Sequence, residues 1–315
     1  MVIITTPLST ASGVNDVFIA EDRYAILATT AGVEIVDLFI GESISSGILG
    51  SEPLSVVADF ISAAGNLYVG TTSSGVYSTR WKTLREPGLD FTDRLVQLFT
   101  TATSPAVSDN QIRDLSARPG RLLISTGAGI DFITFESLLA TRPLTSGSDG
   151  CQMTAGGEGY WTVGTSGVEA NYDLFTTSGT GIINVDFEYN ATTSVPLLPS
   201  HVVSDIAVVE NSPNLLAFAT EGGAFIVEEQ QFSEAASQTL TLFPGSNPVV
   251  SVDFSKEATF NSGTIYVATS GSVQVFGLVD ATVSGTHLNK VLLTSTRDQA
   301  LVTGTVTVVR TTNIA

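Results

Sequence analysis

Five aspartates each stand directly before an apolar residue: Asp16-Val17, Asp59-Phe60, Asp114-Leu115, Asp205-Ile206 and Asp253-Phe254. Carboxylates repeated in this way suit two kinds of chemistry. Gathered around an axis, they offer hard oxygen ligands to a cation such as Ca²⁺. Spread between strands, they accept backbone hydrogen bonds and fix how neighbouring strands line up. A residue repeated within a repeating chain serves the repeat first, so the hydrogen-bonding role is expected for Asp16, Asp59, Asp114, Asp205 and Asp253, with a channel Ca²⁺ site as the alternative.

Other chemistry has thin support. The chain has two histidines, His201 and His287, and one cysteine, Cys151. A nucleophilic triad needs a base within reach of its Ser or Cys, and neither His has a recognisable acid phrase beside it. A single Cys excludes an intramolecular disulfide framework and a thiolate metal cluster. The carboxylate pairs Asp90 and Asp93, Glu228 and Glu229, and Glu21 and Asp22 have the composition glycoside cleavage requires. Each falls at an expected loop or strand edge, where solvated carboxylates are the default. Gly127-Ala128-Gly129 and Gly179-Thr180-Gly181 lack the following helix and Lys of a phosphate loop, and read as turns. The chain is therefore expected to have no catalytic and no cofactor-binding residues.

The elements that must position these residues announce themselves by repetition. An apolar strand ending in Thr, a short Gly-containing turn and a second strand recur six times. The copies run from Tyr24 to Val36, Leu67 to Tyr77, Leu122 to Ile133, Tyr160 to Glu169, Leu215 to Val227 and Ile265 to Val275. β-Branched and aromatic residues suit half-buried strands, and Gly supplies the positive φ of a tight reversal. Each copy has a further strand upstream, and in five of the six it carries the Asp; the fourth has Gln152-Met153. The spacing is that of a four-stranded propeller blade.

The phrases Leu198-Pro199-Ser200-His201-Val202-Val203-Ser204-Asp205-Ile206, Tyr68-Val69-Gly70-Thr71-Thr72-Ser73-Ser74-Gly75 and Trp161-Thr162-Val163-Gly164-Thr165-Ser166-Gly167 resemble the repeats of two-component-regulator sensor propellers. The resemblance implies an all-β single propeller. No kinase or DNA-binding segment accompanies it, so signalling is not carried over. Six four-stranded blades are expected, with seven as the alternative, over residues 11–52, 53–105, 106–149, 150–199, 200–246 and 247–297 of one domain, 1–315. A terminal strand closes the ring: residues 2–6 pairing near Ser272–Phe276 or Lys290–Leu293, with 302–310 left as an edge or docking strand.

Composition limits the partners. Of 315 residues, 31 are Asp or Glu and 13 are Lys or Arg, a formal charge of -18. That balance disfavours nucleic acid, whose binding needs clustered cations. No apolar run is long enough for a membrane helix. Residues 1–7 lack the basic and apolar regions of a secretory signal and read as a strand. Cytoplasmic synthesis, with assembly into a virus particle as one destination, is the expected localisation. Cations concentrate at Arg80, Lys82, Arg85 and Arg94 around Trp81, a segment expected to be exposed and to bind a partner through Arg80, Trp81, Lys82 and Arg85. The Thr-rich stretch 176–195, with the glycosylation-like Asn190-Ala191-Thr192, reads as a second insertion. The expected function is a non-catalytic structural or adhesive subunit whose partners are proteins of a larger assembly, including copies of itself. Glycan binding or processing and a ligand-sensing scaffold are the alternatives.

Overall fold

The computed structural model describes residues 2–3, 5–8, 13–59, 65–135, 139–144, 150–153, 159–164, 167–172, 184–189, 200, 202–209, 214–229, 236–242, 248–260, 262–278 and 307–308. The protein is all-β. Among the described residues the only helical turns are short 3₁₀ segments at Trp81–Thr83 and Thr92–Arg94, and no helix is long and apolar enough to cross a membrane.

Each hairpin legible in the sequence forms the middle of a sheet. The first sheet runs Val14–Ala20, Tyr24–Thr29, Gly32–Asp37, Glu42–Gly47, and the second Pro53–Asp59, Asn66–Thr71, Val76–Arg80, Val96–Phe99. The third runs Ile112–Arg118, Arg121–Thr126, Gly129–Thr134, Leu139–Leu144, and the fourth Gly150–Met153, Gly159–Gly164, Gly167–Tyr172, Asn184–Tyr189. The fifth is Val203–Val209, Asn214–Thr220, Gly223–Glu229, Ala236–Leu242. The sixth begins Val249–Phe254, Thr264–Thr269, Ser272–Gly277 and takes its fourth strand, Thr5–Leu8, from the start of the chain. Thr5 lies opposite Phe276 and Leu8 opposite Val273, so the N-terminal strand sits near Ser272–Phe276 as expected. The far end differs from expectation. Val2–Ile3 leaves the sixth sheet and pairs with Thr307–Val308, so the described part of 302–310 meets the other terminus.

The Thr and Gly of each hairpin have distinct tasks. In five hairpins the Thr hydroxyl donates across the turn: Thr29 to Gly32 O, Thr71 to Gly75 O, Thr126 to Gly129 O, Thr220 to Gly223 O and Thr269 to Ser272 O. Gly75 has φ +77°, and a Cβ there would meet the Phe99 carbonyl oxygen at 2.0 Å. The position therefore needs Gly both for conformation and for the close approach of the outer strand. The fourth hairpin closes on Gly164 and Gly167 instead.

Apolar layers lie between consecutive sheets. Val14, Val17, Leu27, Tyr266 and Ala268 fill the space between sixth and first; Leu115, Leu122, Val76 and Phe99 that between second and third. Leu123, Phe132, Cys151 and Met153 join third to fourth, and Ile226, Ala217, Val252 and Phe254 join fifth to sixth.

The 80–95 segment corrects a sequence expectation. It is a brace, with its aromatic residues turned inward. Trp81 is 1% exposed and lies in the layer between the first and second sheets with Leu84, Phe91, Tyr24 and Leu67. Its indole N–H donates to Glu21 Oε1 at 3.0 Å, and its ring meets Tyr24 edge-on. The segment then crosses to the first sheet: Leu89–Asp90 pairs parallel to Glu42–Gly47 as a fifth strand, and Ser45 Oγ donates to the Leu84 carbonyl. An outer edge that would expose its ladder groups is thereby covered. Arg85 is tied to Glu21 at 2.7 Å, while Arg80 and Lys82 stay exposed.

Candidate functional site

The first strands of the sheets carry the polar residues, and a repeated bulge sets which way they face. In the first, second, third, fifth and sixth sheets the pairing of first and second strands slips by one residue at the same place. Counted from that slip, the equivalent positions are Asp16, Ser55, Asp114, Asp205 and Ser251, opposite Ala28, Gly70, Ser125, Ala219 and Ala268. In the fourth sheet Gly150, opposite Val163, occupies the place.

Three of the five expected aspartates thus share a register. Asp253 lies two residues beyond its sheet's equivalent position, opposite Tyr266, and Asp59 four beyond, opposite Asn66. Two serines that sequence reasoning passed over, Ser55 and Ser251, stand where Asp was expected.

Among the described residues, side chains at these places join the first strands of neighbouring sheets at three junctions. Asp114 Oδ2 accepts the Cys151 N–H at 2.6 Å, Asp205 Oδ2 accepts the Val252 N–H at 2.9 Å, and Ser251 Oγ accepts the Val17 N–H at 3.1 Å. The bonds run from third to fourth, fifth to sixth and sixth to first sheet. Two residues further on, Ser116 Oγ accepts the Met153 N–H and Asp253 Oδ2 the Ile19 N–H, a second rung of the same ladder. The other oxygen of each carboxyl turns back: Oδ1 of Asp16, Asp114, Asp205 and Asp253 accepts the N–H of the following residue, each at 2.7 Å. One carboxyl therefore satisfies two backbone donors where first strands lie side by side without a ladder of their own. That is the physical value of Asp here.

The carboxyls also meet one another. Ser251 Oγ is 2.5 Å from Asp16 Oδ1 and 2.7 Å from Asp205 Oδ2. A serine hydroxyl has one proton to give. With the Val17 N–H on one lone pair, it donates to one carboxylate, and the second short contact becomes a hydrogen bond when the other carboxyl carries a proton. The electrostatics agree. Burial pushes Asp114 well above the ordinary carboxylate range, and the charges of Asp205 and Asp16 push it further. Burial raises Asp205 despite the opposing bonds from Ser251, Val252 and Ile206. Asp253 is pushed up to about 7 by burial, against the N–H groups of Ile19 and Phe254. Among the described residues no group of three His, Cys, Asp or Glu is placed to hold a metal ion.

The remaining sequence candidates separate. Cys151 is buried at the start of the fourth sheet, its thiol pushed up by burial and by Asp114. Glu21 binds Trp81 and Arg85, and Asp22 accepts the Lys256 N–H. Asp90 caps the Thr92 turn through the Thr92 hydroxyl and N–H, which hold it below its usual range; Asp93 is exposed beside it. Glu228 lies in the third strand of the fifth sheet, and the Glu229 side chain is outside the described residues. Gly127 and Ala128 form a hairpin turn closed by Thr126 and Gly129. His201, His287, Gly179–Gly181, Asn190–Thr192 and the Asp59 side chain lie outside the described residues. Neither the protein-family models nor the curated proteins contain a match to the chain.

Proposed function

We propose that the six sheets are the blades of one β-propeller, closed by Thr5–Leu8, and that it serves as a non-catalytic structural or adhesive subunit of a larger assembly such as a virus or phage particle. The propeller reading is supported by the order of the stitches, in which the sixth sheet bonds to the first through Ser251–Val17 and Asp253–Ile19. The resemblance of the Leu198–Ile206 phrase to sensor-propeller repeats points the same way. Carboxylates engaged in backbone hydrogen bonds serve the frame.

The observation that carries the contact role is where apolar side chains face water. Phe39, Ile40, Ile48 and Val96 are each at least 60% exposed, and all four lie on the outer part of the first and second sheets. Ile48 and Val96 flank the Thr92–Arg94 turn, which Ile48 reaches through its N–H to Thr92 Oγ1. Phe39 and Ile40 precede the strand Glu42–Gly47 and Ile48 follows it, so exposed apolar groups stand at both ends of that outer strand, where a partner laid along it would cover them. The test is the sedimentation of the protein in extracts of its native source. The wild type is expected within a large assembly, and Ile40→Ser/Ile48→Ser is expected to be released with unchanged melting. A wild type that sediments as a monomer, or a double variant that stays assembled, contradicts the proposal.

A further inference from the structure

An open cleft of about 380 Å³ lies on the outer side of the second sheet, where Val76–Arg80 gives way to the Trp81–Thr83 turn. The sheet contributes Asn66, Ser78, Thr79 and Arg80 to its walls, and the returning brace contributes Thr83, Arg94 and Val96. Two arginines and no acidic residue line it, in a chain with 31 acidic residues against 13 Lys plus Arg.

The two arginines are held differently from others in the fold. Arg23 is paired with Asp37 and Arg85 with Glu21. Among the described residues Arg94 has only its Nη1 engaged, donating to the Thr83 carbonyl at 2.8 Å, which orients the group and leaves the rest of its fork for a ligand. Arg80 is exposed, and among the described residues its guanidinium has no acidic partner. The polar neighbours are ready to pair in both directions. The Thr83 hydroxyl gives its proton to the Arg80 carbonyl at 2.8 Å and so presents lone pairs. Ser78 and the Asn66 amide can each donate and accept. Val96, 62% exposed, adds one apolar face.

We propose that this cleft binds a carboxylate carried on a frame of hydroxyls, a sugar acid of monosaccharide size. The inference rests on the contact reading above and names a ligand class for it. A guanidinium fork matches a carboxylate in two parallel hydrogen bonds. Hydroxyl and amide walls match a ligand whose remaining groups are hydroxyls, and Val96 meets the C–H face of the ring. An acidic peptide supplies the carboxylate without the hydroxyls, and so leaves the Asn66 and Ser78 side of the cleft unused. Both cations are exposed, so the binding weakens as salt is added.

The experiment is calorimetric titration of the full chain with D-glucuronate, alongside D-glucose, sulfate and tetraglutamate. Saturable glucuronate binding is expected, stronger than that of glucose by about tenfold or more. It should fall by a similar factor in Arg80→Ala/Arg94→Ala with melting unchanged, and by less in Arg80→Lys, which keeps the charge and loses the fork. Absent saturation, equal binding of glucose or sulfate, tighter binding of tetraglutamate, or full binding by the double alanine variant each overturns the inference. Assembly is read separately with Ile40→Ser/Ile48→Ser. Release of that variant without glucuronate binding by the wild type defeats the sugar-acid inference alone. Glucuronate binding by a chain that never assembles defeats the contact reading alone.

Discussion

Asp253 provides a pH signature that an exposed carboxylate would not give. Its folded value is pushed up to about 7 by burial, whereas an aspartate in an unfolded chain titrates near about 3.9. The folded protein therefore holds this proton more tightly than the unfolded one. Its contribution to stability is complete below about pH 4, declines as the pH rises through the interval to about 7, and is constant above. A gap of about 3 units is equivalent to about 4 kcal/mol, an upper limit that relaxation of the strands and the partly open surface of Asp253 reduce. Asp114 and Asp205 are raised as well and add to the same slope. Asp37 works the other way. Burial opposes its charge, but hydrogen bonds from Arg23 and the Phe39 N–H outweigh burial and hold it low, so its contribution is present above its unfolded value and is lost only as the pH falls further. Replacing Asp253 with Asn removes the titration and sacrifices one acceptor, a loss of about 1 kcal/mol. At pH 8 the variant should gain about 2 kcal/mol over the wild type, and the slope between pH 5 and 8 should flatten. Urea unfolding followed by tryptophan fluorescence measures both. An unchanged slope in the variant, or wild-type stability that rises with pH across that window, refutes the reasoning.

Trp81→Ala should cost about 3–5 kcal/mol by emptying the layer between the first and second sheets, read as a lowered melting temperature; an unchanged one would restore the exposed-tryptophan reading. Gly75→Ala should cost well over the ~1 kcal/mol of a merely strained turn, because its Cβ meets the Phe99 carbonyl. Gly50→Ala, with nothing within 4 Å, serves as the control in the same melting series, and equal costs at the two sites would contradict the close approach.

The hairpins were legible because their chemistry is local. Thr29, Thr71, Thr126 and Thr220 each close a turn with a Gly a few residues on, and strand residues between them alternate or run apolar. The aspartate register was less legible, because the turns joining first and second strands differ in length. Ala20 to Tyr24 is a short reversal, whereas Phe254 to Thr264 is a ten-residue step. Asp253, standing before an apolar residue, therefore looked equivalent to Asp16 when Ser251 is the residue in that place. The bulge that aligns them is a property of pairing and leaves no local mark. Trp81 was misread for another reason. Its neighbours Arg80 and Lys82 are cationic, but a 3₁₀ turn puts successive residues on different faces, and Leu84, Leu89, Phe91 and Leu95 supply the apolar companions that signal a buried side.

The most direct measurement of the central claim, that Thr5–Leu8 completes the sixth sheet, is a cysteine pair at Thr6→Cys and Val275→Cys, two residues that lie opposite each other. A disulfide is expected to form in the native protein on mild oxidation, with a raised melting temperature. A bond closing a loop of roughly 270 residues removes unfolded-state freedom equivalent to about 5.6 kcal/mol. Failure of the native pair to cross-link, or cross-linking only after unfolding, would contradict it.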